Sequence, residues 1–123
     1  MFELKITADF AAAHRLQMVG EKCEGLHGHN WQVEVRVRGE NLDEAGVLLD
    51  FGVLKAQLRT VLLNLDHKFL NELEVFADYP QPTSENIAVF IAKELQRALK
   101  SCPVRVHSVS AWESANACAT YYP

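Results

Sequence analysis

His27-Gly28-His29-Asn30-Trp31-Gln32-Val33-Glu34-Val35-Arg36-Val37-Arg38 alternates almost without a break. Trp31, Val33, Val35 and Val37 fall on one side, and Gln32, Glu34, Arg36 and Arg38 on the other. A two-residue period of this kind marks a β-strand with one buried face. His27 and His29 share the parity of the valines, so a strand beginning this early carries both imidazoles on its buried side, at its end. On a helix the same spacing would point them apart.

Working outward, Phe2, Leu4, Ile6, Ala8 and Phe10 alternate with polar neighbours, and residues 2–14 read as a preceding strand. Gly20, Gly25 and several polar residues make 15–26 a loop. After the His27 strand, RGENLDEAG supplies turn chemistry, and VLLDF (47–51) reads as a short returning strand. From Asp50, an N-cap, the period changes: Leu54, Leu58, Val61, Leu62 and Leu65 share a helical stripe ending near LDHKFLN (65–71). Pro82, Thr83, Ser84 and Glu85 announce a second helix, with an acidic residue near its positive dipole end. Ile87, Phe90, Ile91, Leu95, Ala98 and Leu99 form its apolar face. Beyond Pro103 a last strand alternates, with Val104, Val106, Ser108, Ser110 and Trp112 on one face and His107, Val109, Ala111 and Glu113 on the other. The order predicts an α+β domain with an antiparallel sheet and helices on one face. The exposed edges of such a sheet call for protection or a partner, so homo-oligomerisation is expected.

The 123 residues suffice for a single domain, 1–123. A net charge of -4 gives no footprint for nucleic acid. No apolar run reaches the roughly 18 residues of a membrane span, and the N-terminus lacks the pattern of a secretory signal. Cys23, Cys102 and Cys118 are an odd number at irregular spacing, which is no disulfide framework and fits a reducing cytoplasm.

Taken alone, His-Gly-His is an ordinary surface pair. A hairpin, however, brings His14 at the end of the first strand beside it. Three neutral imidazoles leave one position open on a zinc ion, the arrangement of catalytic sites, and iron, nickel or cobalt accept the same donors. Cys23 admits three readings: a fourth ligand closing a structural site, a thiol that works as a base beside the metal, or an inert buried cysteine. The polar flanks Lys22, Glu24 and Gly25 disfavour the last. Asp66-His67 reads as a solvated helix end or as a proton-transfer pair. Glu113, on an apolar face, needs partners. It suits the adjacent N–H and amine of a guanine-like or pterin ring, or a salt bridge to Arg36 or Arg38.

FAAAHRL (10–16), CEGLHGHNW (23–31), VLLDF (47–51), LDHKFLN (65–71), PTSENIA (82–88) and SAWES (110–114) follow one another along nearly the whole chain. In this order they resemble the 6-pyruvoyltetrahydropterin synthase superfamily, and within it the bacterial 6-carboxytetrahydropterin synthases of queuosine biosynthesis. The resemblance implies a tunnelling fold, with a four-stranded antiparallel sheet and two helices on one face. It implies trimeric barrels stacked into a homohexamer, with active sites at subunit interfaces. His14, His27 and His29 would hold zinc, Cys23 would be the general base, and Asp66 with His67 the second proton-transfer group. Thr83, Ser84 and Glu113 would touch the pterin. The implied reaction converts 7,8-dihydroneopterin triphosphate to 6-carboxy-5,6,7,8-tetrahydropterin, releasing triphosphate and acetaldehyde.

Neighbouring branches retain the side chain as a pyruvoyl product or cleave it toward a folate precursor. The short gap between Cys23 and His27 is similar to that of the carboxy enzymes, while pyruvoyl enzymes of animals carry a longer one. The cleaving branch has glutamate in place of the base cysteine, and here Glu21 and Glu24 flank Cys23. Trp112 departs from the basic residue of many carboxy enzymes. The contrasting class is a non-enzymatic zinc module whose metal merely keeps the fold.

Overall fold

The alternation from His27 becomes strand β2 (His27–Gly39), paired antiparallel along its full length with β1 (Phe2–His14). The computed structural model describes residues 1–20, 24–77 and 80–123. Ile6 lies opposite Val35, Ala8 opposite Val33 and Phe10 opposite Trp31, all facing the core. Trp31, Val33, Val35 and Val37 are fully buried. At about 1.5–3 kcal/mol for each large apolar side chain removed from water, this row is a main source of sheet stability.

Helix α1 (Phe51–Leu62) begins where Asp50 accepts the Gly52 N–H at 2.6 Å, and buries Leu54, Leu58, Val61 and Leu62. Helix α2 (Ser84–Ala98) begins where Thr83 Oγ1 accepts the Asn86 N–H at 3.1 Å, and buries Ile87, Ala88, Ile91, Ala92 and Leu95. The first packs on β1, and the second on β4 (Arg105–Ser114) and β5 (Ala117–Tyr121). A two-residue strand, β3 (Lys68–Phe69), runs parallel to Ala12 and Ala13 of β1. The sheet order is β3-β1-β2-β4-β5. Among the described residues, no helix is long and apolar enough to cross a membrane.

Three expectations are corrected. Among the described residues the sheet has five strands instead of four, and β3 pairs in parallel. VLLDF (47–51) forms no returning strand. Asp43 instead closes a tight loop, its Oδ1 accepting the N–H groups of Ala45 (2.8 Å) and Val47 (3.0 Å), and Asp50 is committed to capping α1. Leu48 from this loop plugs the end of the core over Gly39, where an added Cβ would stand 2.7 Å from Leu48 Cδ1 and 2.5 Å from the Pro103 carbonyl. Finally, simple alternation fails in β4. Arg36 pairs with Ser108 but Val37 pairs with Val106, so His107 is an extra residue at a bulge. The bulge places Val106 on the core face with Val109 and Ala111, the face that leads to Glu113.

Candidate metal centre and catalytic groove

The core face of the β1–β2 ladder changes character at its last rungs. Beyond Phe10 opposite Trp31 come Ala12 opposite His29 and His14 opposite His27. Trp31 stands edge-on to His14 and His29, with ring centroids 5.2 and 5.3 Å away, and its Nε1 donates to the Ala12 carbonyl at 3.3 Å. The indole thus floors a cluster of three imidazoles, whose centroids lie 4.6, 4.7 and 5.2 Å apart.

The tautomers follow from the hydrogen bonds. His14 is fully buried and its Nδ1 lies 2.8 Å from the Pro82 carbonyl; His27 Nδ1 lies 2.7 Å from the Gly25 carbonyl. A carbonyl only accepts, so both Nδ1 atoms donate and the Nε2 atoms of the neutral rings carry lone pairs. Those two Nε2 atoms face each other at 3.0 Å. Two lone pairs so placed repel unless a proton or a cation lies between them. His29 Nε2 is buried and makes no well-aligned hydrogen bond among the described residues. Burial holds His29 below the ordinary histidine range, partly offset by the Glu113 charge, which favours the neutral, ligating ring.

Glu113 completes the group, with Oε1 3.1 Å from His29 Nε2 and 3.3 Å from His14 Nε2. One donor atom from each of His14, His27, His29 and Glu113 lies within 4.8 Å of all the others. Zinc bonds of about 2.0–2.1 Å in a tetrahedron place neighbouring donors about 3.3 Å apart, so the residues fit such an ion. The nitrogen and oxygen donors also suit iron, nickel or cobalt. Glu24 lies at the rim, its Oε2 4.0 Å from His27 Nε2.

Asp66 and His67 are joined to each other but stand apart from that group. Asp66 Oδ1 accepts the Ala11 N–H at 2.9 Å, and Oδ2 lies 3.1 Å from His67 Nδ1. The Ala11 hydrogen bond, aided by the His67 charge, lowers the Asp66 pKa. His67 adopts φ 59°, a left-handed conformation unusual for a residue with a Cβ, and donates its backbone N–H to the Ala11 carbonyl at 2.6 Å. Its side chain is 82% exposed and lines a groove of about 500 Å³ with Ala11–Ala13, Gly28–Asn30, Lys68 and Phe69. The groove and the imidazole cluster therefore share the β1–β2 end.

Thr83 caps α2 and Ser84 opens it, directly after the Pro82 carbonyl that orients His14. Cys23 lies outside the described residues. Sequence reading missed the Gly25 and Pro82 carbonyls, since no side chain marks a carbonyl acceptor. It also missed two amides that strap the chain after His14. Asn71 exchanges hydrogen bonds with the backbone of Arg15 (both 2.9 Å), and Gln81 with that of Gln17 (2.6 and 2.9 Å).

Residues 3–123 match the family model described as 6-pyruvoyl tetrahydropterin synthase. The chain is 38% identical over 118 residues to a 6-carboxy-5,6,7,8-tetrahydropterin synthase from Synechocystis, covering 92% of this chain and 87% of that protein. It is 37% identical over 106 residues to a dihydroneopterin monophosphate aldolase from Pyrococcus furiosus, covering 86% and 84%. The solved structure of Caenorhabditis elegans 6-pyruvoyl tetrahydropterin synthase superposes with a TM-score of 0.82 at 26% identity, covering 99% of this chain and 95% of that one. By family model, by identity over most of its length and by fold, this chain belongs to the 6-pyruvoyl tetrahydropterin synthase family of enzymes.

Proposed function

We propose that this protein is a zinc-dependent 6-carboxytetrahydropterin synthase. It would convert 7,8-dihydroneopterin triphosphate and one water to 6-carboxy-5,6,7,8-tetrahydropterin, triphosphate and acetaldehyde, on the route to queuosine and other 7-deazaguanines in the cytoplasm. The observation that carries the reading is the convergence of the His14, His27 and His29 nitrogens with two Nδ1–H groups tied off on carbonyls. That arrangement prepares three neutral imidazoles to hold a divalent ion. A zinc ion held by these residues would supply Lewis-acid polarisation of the substrate's side-chain hydroxyls.

The remaining work falls to this chain's own groups. The Cys23 thiolate removes a side-chain proton. His67, with Nδ1 donating to the Asp66 carboxylate, exchanges a proton through Nε2 and returns it elsewhere on the substrate. Thr83 and Ser84 contact the pterin at the start of α2, and the Glu113 carboxylate accepts from its ring N–H and amine. Because His67 opens onto a neighbouring groove, a second subunit completing that groove fits the homohexamer of two trimers expected from the resemblance.

The similarity to the archaeal aldolase, together with Glu24 beside His27, favours a second reading in which a retro-aldol cleavage leaves a hydroxymethyl group on the ring and the departing two-carbon aldehyde keeps its phosphate. Product analysis separates the two. Zinc-loaded protein and its Cys23→Ala variant are incubated with dihydroneopterin triphosphate and, separately, with the monophosphate, and pterins and aldehydes are identified by mass spectrometry. Carboxytetrahydropterin with acetaldehyde, lost in the variant, is the expected result. A hydroxymethyl pterin would assign the aldolase, and a pyruvoyl pterin the side-chain-retaining branch. No turnover by folded, metal-loaded protein would favour a binding module.

A further inference from the structure

We infer that Glu113 has two stations: it closes the metal site while the protein is empty, and it leaves the metal to take the substrate ring. The inference rests on the proposed metal and pterin roles above and concerns how one carboxylate serves both.

The Glu113 Oε1 separations from His29 and His14 Nε2, 3.1 and 3.3 Å, are those of donors around one small ion. Four protein donors make a closed site, which is the arrangement of structural zinc, whereas catalysis requires an open position. One donor must therefore withdraw. His14 is fully buried with Nδ1 held by Pro82, and His27 Nδ1 is held by Gly25. His29 sits within the β1–β2 ladder on the Trp31 ring. Glu113 is the penultimate residue of β4, with its side chain 35% exposed on three rotatable bonds. Among the described residues its polar neighbours are those same imidazoles. It is the donor with least to hold it.

The carboxylate cannot fill the metal's fourth position and also accept two hydrogen bonds from a pterin edge at another place. Seating the ring and opening the metal site are then a single event. By linkage, the ring must loosen the carboxylate's hold on the metal, and the metal must weaken ring binding by the same factor. The site would stay closed to stray ligands until a pterin ring has been recognised, which adds selectivity without any lid.

The test uses cobalt(II) in place of zinc, so that the visible spectrum reports coordination, and pterin itself, a ring without side-chain hydroxyls. Wild-type protein should bind one cobalt per chain with a four-coordinate spectrum, and saturating pterin should change that spectrum although it brings no hydroxyl chain. Glu113→Ala and Glu113→Gln should retain cobalt on the three imidazoles and start with an altered spectrum that pterin does not move. Metal-free wild type should bind pterin more tightly than the cobalt form, on the order of tenfold. Far-UV circular dichroism confirms that each variant is folded. Identical cobalt spectra for wild type and Glu113→Ala, or saturable pterin binding with an unchanged wild-type spectrum, would overturn the inference. Failure of folded wild type to bind cobalt would overturn the metal reading beneath it, and that outcome is distinct because it appears before pterin is added.

Discussion

The β1–β2 ladder is one continuous structure with two ends that do different work. In its middle, Ile6 opposite Val35 and Ala8 opposite Val33 present aliphatic groups to the helices. Two rungs past the Phe10–Trp31 pair, the same face and the same register present His29 and His27 beside His14. Backbone geometry is shared, so the difference lies wholly in side-chain chemistry. The aliphatic rungs gain by exclusion of water, while the imidazole rungs are polar groups whose donor atoms converge where the proposed metal would sit. Stability and function are thus separable along one strand pair, and each end can be altered to test that.

The largest effect is expected from His14→Ala, which removes the buried member of the cluster. Turnover should fall by roughly a thousandfold, about 4 kcal/mol of barrier, with the metal lost by elemental analysis. Chelation should act in the same way: stripped wild type keeps its far-UV spectrum and a cooperative unfolding transition, because the aliphatic rungs do not depend on metal. Unfolding on chelation would instead identify a structural metal. Val35→His carries an imidazole into the other half of the ladder, at a fully buried position of the hydrophobic core. A loss of about 3 kcal/mol in urea unfolding is expected.

Much of this division was legible in the sequence. Strict alternation marked both long strands and placed His27 and His29 on the valine side. The period change at Asp50, the cap at Asp50 and a cap at Thr83 or Ser84 marked both helices, since short polar side chains before an apolar stripe have few other uses there; the structure gives the second cap to Thr83. The parts that escaped have physical reasons. Ala117–Tyr121 carries two alanines and a cysteine, which give little β signal, and it becomes a strand by pairing with β4. The bulge at His107 depends on pairing with β2, so alternation within β4 alone assigned Val106 to the wrong face. For the same reason the closeness of Glu113 to the imidazoles was invisible, being a matter of cross-strand geometry. Asp66-His67 was recognisable as a pair, but its separation from the cluster is set by two hydrogen bonds to Ala11, 55 residues away from Asp66.

Smaller effects sharpen the comparison. Thr83→Ala removes the α2 cap next to the carbonyl that orients His14, and should cost about 1 kcal/mol in thermal or urea unfolding. The weakest effect concerns pH. Asp66 is held below the ordinary carboxylate range by the Ala11 N–H and by His67. A depressed folded-state pKa contributes stability that is present above the unfolded value near 4 and is lost as pH falls through the folded value. Asp66→Asn should therefore melt slightly below wild type at neutral pH, and the gap should close on acidification below about pH 4. A constant gap across that range would assign the effect to packing instead of charge.

The most direct measurement is zinc titration of wild type and His29→Val against a chromophoric chelator, paired with urea unfolding of both in metal-free buffer. The substitution makes the imidazole rung resemble the aliphatic ones on the same face. Tight binding of one zinc per chain in wild type, at least a hundredfold weaker binding in the variant, and an unfolding midpoint that is unchanged or higher are expected. Equal zinc affinity in the two proteins, or a variant that no longer folds, would contradict the division of the ladder into a core and a metal site.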